Sequence, residues 1–229
     1  MLPDCIPRAL LGGSCPTGTD YDPITDSCCY PGSGEVVDCE LFGRFGNICP
    51  SPIIIDVAGD GFNLTNAADG IQFDLNNDGT RERLAWTVAN SDDAWLALDR
   101  NGNGAIDNGQ ELFGNFTPQP VTAIANGFLA LAEYDQPAQG GNGDGVIDSR
   151  DVIFSSLRLW QDMNHNGISE PNELHTLPSL GVVRLDLAYR EARRTDRYGN
   201  RFRYRAKVYD EHGAQVGRWA WDVFLVAGT

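Results

Sequence analysis

Apolar residues change their spacing along the chain. Residues 1–52 show no sustained period, only Gly, Pro, Cys and turn formers that end in Cys49-Pro50-Ser51-Pro52. That pattern predicts a lead segment held by something other than a packed core. From 53 to 98, short β-like runs at 71–75, 84–88 and 95–98 alternate with Asp/Asn/Gly turns and predict hairpins. Between 108 and 180 the spacing shifts to steps of three and four, which predicts short helices over 111–116, 127–134, 149–161 and 172–177. The third has Asp148 or Ser149 as its cap and Val152, Ile153, Phe154, Leu157 and Trp160 as its apolar stripe. Strict alternation then returns. Val183, Leu185, Leu187 and Tyr189, then Phe202, Tyr204, Ala206 and Val208, then Trp219, Trp221, Val223 and Leu225 predict three antiparallel strands joined by turns at 198–200 and 210–213.

Charge adds an address to this pattern. The 229 residues carry a formal charge of −15; residues 56–173 hold 19 acids and 5 bases, while 184–222 hold 6 acids and 10 bases. An acidic stretch of that density repels itself and predicts a bound cation, and it argues against nucleic acid as a partner. All six cysteines, Cys5, Cys15, Cys28, Cys29, Cys39 and Cys49, fall in the lead segment with no C-x-x-C pair and no histidine nearby. Disulfides in an oxidising compartment are the expectation, with the pairing open and a zinc site the weaker reading. No apolar run approaches the ~20 residues of a membrane span, so the chain is expected to be soluble or externally attached, and the cysteines make it secreted or extracellular. Residues 1–13 lack a basic start and a long apolar stretch; either a secretory signal was removed or the chain is a piece of a longer protein.

The turns between the predicted elements carry the chemistry. A calcium loop of the EF-hand type needs oxygens at positions 1, 3, 5, 7, 9 and 12 and glycine at position 6. Residues 162–173 meet every one: Asp162, Asn164 and Asn166 offer side chains, Ile168 its carbonyl, Glu170 the ninth oxygen and Glu173 the closing carboxylate. The preceding loop places Asn142, Asp144, Val146, Asp148 and Asp151 in register from position 3, but five extra residues separate it from Asp135, its natural first ligand. The chain must therefore bulge back there. A third loop runs Asp99, Asn101, Asn103, Ala105 and Asp107 in order, with Gln110 at position 12 and the closing carboxylate, Glu111, one place later. Two further clusters lie among strands: Asp74, Asn76, Asp78, Thr80 and Glu82 in one, Asp56 and Asp60 in the other, where Ala58 stands in place of an acid. One such cluster is an ordinary Asx turn. Five within about 120 residues predict roughly three to five bound calcium ions. Ile106, Ile147 and Ser169, at position 8, fit the short strand contact between paired loops, and the 149–161 helix would pair the loops that begin at Asp135 and Asp162.

Three stretches, 53–61, 98–114 and 159–167, resemble the calcium-dependent self-processing module of RTX-type bacterial exported proteins. The resemblance covers roughly 52–188. It implies secretion, folding by calcium, and cleavage of an Asp-Pro bond just before the first acidic loop, where the aspartate carboxylate attacks its own carbonyl to form an anhydride. The matching dipeptide here is Ser51-Pro52, and serine cannot form that anhydride. An Asp-Pro bond does occur at Asp22-Pro23, in the cysteine segment, where a turn accounts for it.

Other catalytic signatures are missing. The sequence contains no G-x-S-x-G and no H-E-x-x-H, and His165, His175 and His212 form no cluster. The expected protein is thus no enzyme. It is an α+β chain in three parts: a disulfide-stapled segment (1–52), EF-hand-like calcium loops joined by short helices and preceded by β-hairpins (53–180), and a three-stranded antiparallel sheet (181–229). Calcium would stabilise it as an extracellular structural or interaction module, pictured as a subunit of a surface assembly. The alternatives are a self-processing module cutting at Asp22-Pro23, or a dockerin-like recognition module built on the loops at Asn142 and Asp162. Residues 201–207 put Arg201, Arg203, Arg205 and Lys207 on one strand face, suited to a protein partner, a second copy or an anionic glycan.

Overall fold

The computed structural model describes residues 51–122, 125–214 and 218–228, together with the backbone of Cys5–Pro7, Asp20–Asp22 and Ser27–Cys29. These last three strands, β1, β2 and β3, make an antiparallel sheet in the order β1-β3-β2, within a unit that runs to Asp38. The expected disulfides concern side chains outside the described residues.

The regular elements described in the second unit are mainly short strands joined by long turns. Its elements are β4 (Ile53–Ile55), β5 (Ile71–Phe73), β6 (Glu82–Leu84), β7 (Ala94–Ala97), a helix α1 (Gly127–Ala132), β8 (Val146–Asp148), β9 (Arg158–Trp160), β10 (Leu174–Thr176), β11 (Arg184–Asp186), β12 (Arg190–Thr195), β13 (Arg201–Tyr209), β14 (Trp219–Phe224) and β15 (Ala227–Gly228). Eight of these strands run β10-β9-β7-β4-β14-β13-β11-β8 in one antiparallel sheet, with β12 also paired to β13; a smaller sheet holds β15-β6-β5. The strands of the C-terminal part therefore do not form a sheet of their own, since β14 lies between β4 and β13.

Both faces of the central sheet are covered. Ile53, Ile55, Leu96, Leu159 and Ala206 pack into one apolar cluster, while Ile54, Trp95, Ala97, Trp160, Trp221 and Val223 pack into the other. Strands buried on two sides read as continuous apolar runs rather than alternating ones, which is why β4 and β7 are buried along their whole length. On β13 an extra residue, Arg203, separates the pairs Phe202↔Val223 and Tyr204↔Asp222. That bulge sends Phe202 to one cluster and Tyr204 to the other.

This architecture overturns the α+β expectation of helix-flanked EF-hand-like loops. Among the described residues there is one α-helix, α1, capped by Asn126, whose side chain accepts the N–H groups of Phe128 and Leu129. Of the four predicted helices only 127–134 is realised, as α1 followed by a 3₁₀ turn at Glu133–Asp135. Residues 111–116 form bends and a turn around two isolated bridges, Leu112 to Ala97 and Gly114 to Pro52. Residues 149–161 divide into a 3₁₀ turn at Val152–Ser155 and strand β9, and 172–177 becomes β10. The stripe read there was a coincidence of a turn and a strand: Val152 is 71% exposed, whereas the consecutive Leu159 and Trp160 are both fully buried on opposite faces. A strand with two covered faces does this, and one helix stripe does not. With no helix pairs, a dockerin-like duplication of helix–loop–helix units is also ruled out for the described residues. No helix among them is long and apolar enough to cross a membrane.

Candidate metal centre

The five acidic clusters close in the same way. In each, the first aspartate turns its carboxylate back over the loop and accepts the N–H of the glycine at position 6: Gly167 to Asp162 at 2.9 Å, Gly104 to Asp99 at 2.8 Å, Gly145 to Asp135 at 2.9 Å, Gly79 to Asp74 at 3.0 Å and Gly61 to Asp56 at 2.9 Å. In four of them the other oxygen takes the N–H of position 5, from Asn166, Asn103, Asp78 and Asp60. Every one of those glycines has a positive φ, between 70° and 109°, a conformation that side chains resist.

Three loops add a closing carboxylate that spans them. Glu173 accepts Met163 N–H at 2.8 Å and Glu170 N–H at 3.4 Å. Glu111 accepts Arg100 N–H at 3.1 Å and Asp107 N–H at 2.7 Å; Asp151 accepts Asn142 N–H at 3.2 Å and Asp148 N–H at 2.8 Å. All three are buried, and Gln110 is exposed, so the delayed Glu111 takes the position that strict spacing gives to Gln110. The bulge before Asn142 also brings Asp135 into its loop. A Cβ on Gly141 would stand 2.2 Å from the Asp135 carbonyl carbon, so that return path needs glycine.

The loops differ in what faces the ninth position. Glu170 receives the amide N–H groups of Asn166 at 2.8 Å and Asn164 at 3.3 Å on one oxygen, while its other oxygen is enclosed without a partner. Asp107 receives Asn103 at 2.6 Å and Asn101 at 3.2 Å. In the Asp135 loop a guanidinium does the same work: Arg150 Nη2 lies 2.6 Å from both Asp144 and Asp148. Its hydrogen bond holds the Asp148 carboxyl below the usual range. Burial, and then Glu170, push the Glu173 carboxyl up, whereas the neighbouring Glu173 carboxyl and then the Asn166 and Asn164 amides hold Glu170 down. Asp74, Asp78 and Glu82 bring carboxylate oxygens within 4.8 Å of one another, and desolvation followed by those two neighbours raises Glu82. Oxygen-only donors of this kind fit a hard cation such as calcium, and Asp162, Asn164, Asn166, Glu170 and Glu173 could hold one.

Pairing between loops is not the one expected. The side chain of Ser169 accepts Ile106 N–H at 2.6 Å and reaches the Ile106 carbonyl at 3.4 Å, which joins the Asp162 loop to the Asp99 loop. Ile147 instead lies in β8, opposite Leu185 of β11. His165 contributes no ligand; its ring nitrogens lie 2.6 Å from the Thr87 carbonyl and 2.7 Å from that of Asp69. Trp160 is closer to the site than its position in sequence suggests, with Nε1 3.4 Å from Glu173 Oε2.

Sequence reasoning missed two groups. Asp92 and Asp93 join Asp56 in a second carboxylate cluster, and burial raises the Asp93 carboxyl to about 7. Their only signal was an acidic doublet ahead of an apolar run. Asp222, in the middle of β14, is wholly buried; desolvation lifts it to about 7 against the N–H of Gly127 and the Ser51 hydroxyl. Ser51 is itself buried, with its N–H on the Asn115 side chain at 2.9 Å.

Residues 53–225 match the SPM domain. Over 152 residues the chain is 44% identical to the iron-regulated protein FrpA of Neisseria meningitidis serogroup C, a stretch that covers 65% of this chain and 13% of that protein's length.

Proposed function

We propose a function from one premise: the chain belongs to the SPM domain family. It acts as an extracellular structural module whose acidic loops bind three to five calcium ions, and the bound ions hold the loops against the sheet. The observation that carries this reading is the repeated geometry of Asp56, Asp74, Asp99, Asp135 and Asp162, each folded back on the glycine at the sixth loop position, five residues later in four loops and ten residues later for Asp135. Buried closing carboxylates at Glu111, Asp151 and Glu173 add acceptors that one turn alone does not need. The resemblance of residues 52–188 to a module of RTX-type exported proteins supports the extracellular setting.

This reading includes no self-cleavage at Ser51-Pro52. The residue before Pro52 is a serine, which offers no carboxylate for an anhydride, and it is buried beside Asp222. Partner binding is assigned to β12 and β13, where Arg193, Arg194, Arg201 and Arg203 line a cavity of about 190 Å³ with Phe202 and Phe224. Its chemistry suits an anionic glycan or the acidic loops of a second copy.

The test is a calcium titration of metal-free protein, followed by tryptophan fluorescence, bound-ion stoichiometry and thermal unfolding. The expected result is a saturable signal, three to five ions and a melting temperature that rises with calcium. An unchanged melt with no ion bound would sink the reading.

A further inference from the structure

Beside the first acidic loop, three carboxylates from different segments converge. Asp56, Asp92 and Asp93 each place an oxygen within 4.8 Å of the other two. Asp56 directly follows β4 and the doublet directly precedes β7; the pairing of Ile55 with Ala94 fixes their approach. Asp93 is fully buried. Its Oδ2 accepts Asn63 N–H and the Ser91 hydroxyl, each at 2.8 Å, but its Oδ1 is enclosed with no partner. None of the ion pairs among the described residues reaches any of the three. Asp92 approaches the loop where a ligand is missing: its Oδ2 accepts the N–H of Ala58 at 2.7 Å, the residue that stands at position 3 without a carboxylate. A neighbouring chain segment thus brings to the loop the acid that its own third position lacks.

A buried carboxylate oxygen without a donor is strongly disfavoured, and two further carboxylates at this distance make it worse. A cation answers both problems at once. We propose that Asp56, Asp92 and Asp93 form a site for a hard divalent cation, calcium in the first instance, assembled across two strands rather than along one loop. Calcium is chosen on the reading above, but the site, which shares Asp56 with the first loop, stands or falls separately from the other four loops. It is also tied to the best loop, because Gln161 Nε2 donates to the Asp92 carbonyl at 2.6 Å and Asn90 N–H to that of Met163 at 2.9 Å.

The experiment compares the whole chain with its Asp93→Asn variant, counting bound calcium and measuring the melting temperature in chelator and in saturating calcium. Asparagine preserves an acceptor for Asn63 and Ser91 while removing the charge. The variant should bind one ion fewer. It should melt above the parent in chelator and below it in calcium. The same loss of one ion is expected when Asp93→Asn is added to a Glu173→Gln chain, whose Asp162 loop is already impaired. An unchanged count in both backgrounds, with the same order of melting temperatures in chelator and calcium, would overturn this site and leave the loops intact. A parent chain that binds no calcium would overturn both. If Asp93→Asn does not fold, the partly exposed Asp92→Asn carries the same count: one ion fewer supports the site, and no change refutes it.

Discussion

The loops at Asp162 and Asp135 share a backbone and differ in how their charge is balanced. In the first, side-chain amides of Asn164 and Asn166 face Glu170, whose second oxygen is enclosed without a partner. In the second, the guanidinium of Arg150 lies between Asp144 and Asp148. One loop leaves a place for an outside cation, and the other carries a cation of its own. The Asp-Asn-Gly pattern therefore reports the turn, while the count of local positive groups reports how strongly the turn needs metal.

The hardest test of this contrast is Asp162→Ala against Asp135→Ala. Removing Asp162 strands the N–H groups of Asn166 and Gly167, at a cost of roughly 3 kcal/mol. The calcium-loaded chain should then melt about 6–12 °C lower and lose one ion; Asp135→Ala should cost less, because Arg150 supplies part of the balance. Equal losses in a thermal melt would erase the distinction. Ser169→Ala comes next, since it leaves the buried Ile106 N–H without its acceptor and should cost about 1–2 kcal/mol. It should also weaken calcium cooperativity between the Asp162 and Asp99 loops and leave the Asp135 loop alone, which calorimetric titration can read.

Acidification sharpens the comparison further. Glu173, raised by burial, is protonated at a higher pH than an ordinary glutamate, and Asp148, lowered by Arg150, at a lower pH than an ordinary aspartate. A proton on Glu173 competes with the cation, and the metal-free stability tied to its raised value disappears as pH rises through that value. As pH falls, calcium should therefore leave the Asp162 loop first, by about tenfold in affinity per pH unit below the Glu173 value. Amide resonances of Gly167 and Gly145 would report the order. The smallest effect belongs to Arg150→Gln, which should tighten calcium at the Asp135 loop a few-fold without altering the Asp162 loop.

What could be read from the sequence was local. The spacing from Asp162 to Glu173, the delayed Glu111 and the return of Asp135 past its five-residue insert all lie within one turn of chain. The helices failed because the covering of both sheet faces is a property of distant segments: nothing near Leu159 and Trp160 shows that Ile53, Ile55 and Leu96 wait on one side and Ile54 and Trp95 on the other. Loop pairing failed for the same reason, with Ser169 meeting Ile106, 63 residues away, instead of the next loop in the chain. Asp92 and Asp93 carry no glycine turn to mark them, and only the register of β4 with β7 brings them to Asp56.

The tryptophans of the core have an optical consequence. Trp86 stands 4.4 Å from Trp95 and 5.5 Å from Trp160 between ring centroids, close enough for excitation to be delocalised across the three indoles. Ellipticity near the indole absorption band should split into a couplet whose amplitude depends on their mutual angles. Because Trp160 also touches Glu173, a rotation of that one ring on ion binding should change the couplet as a whole.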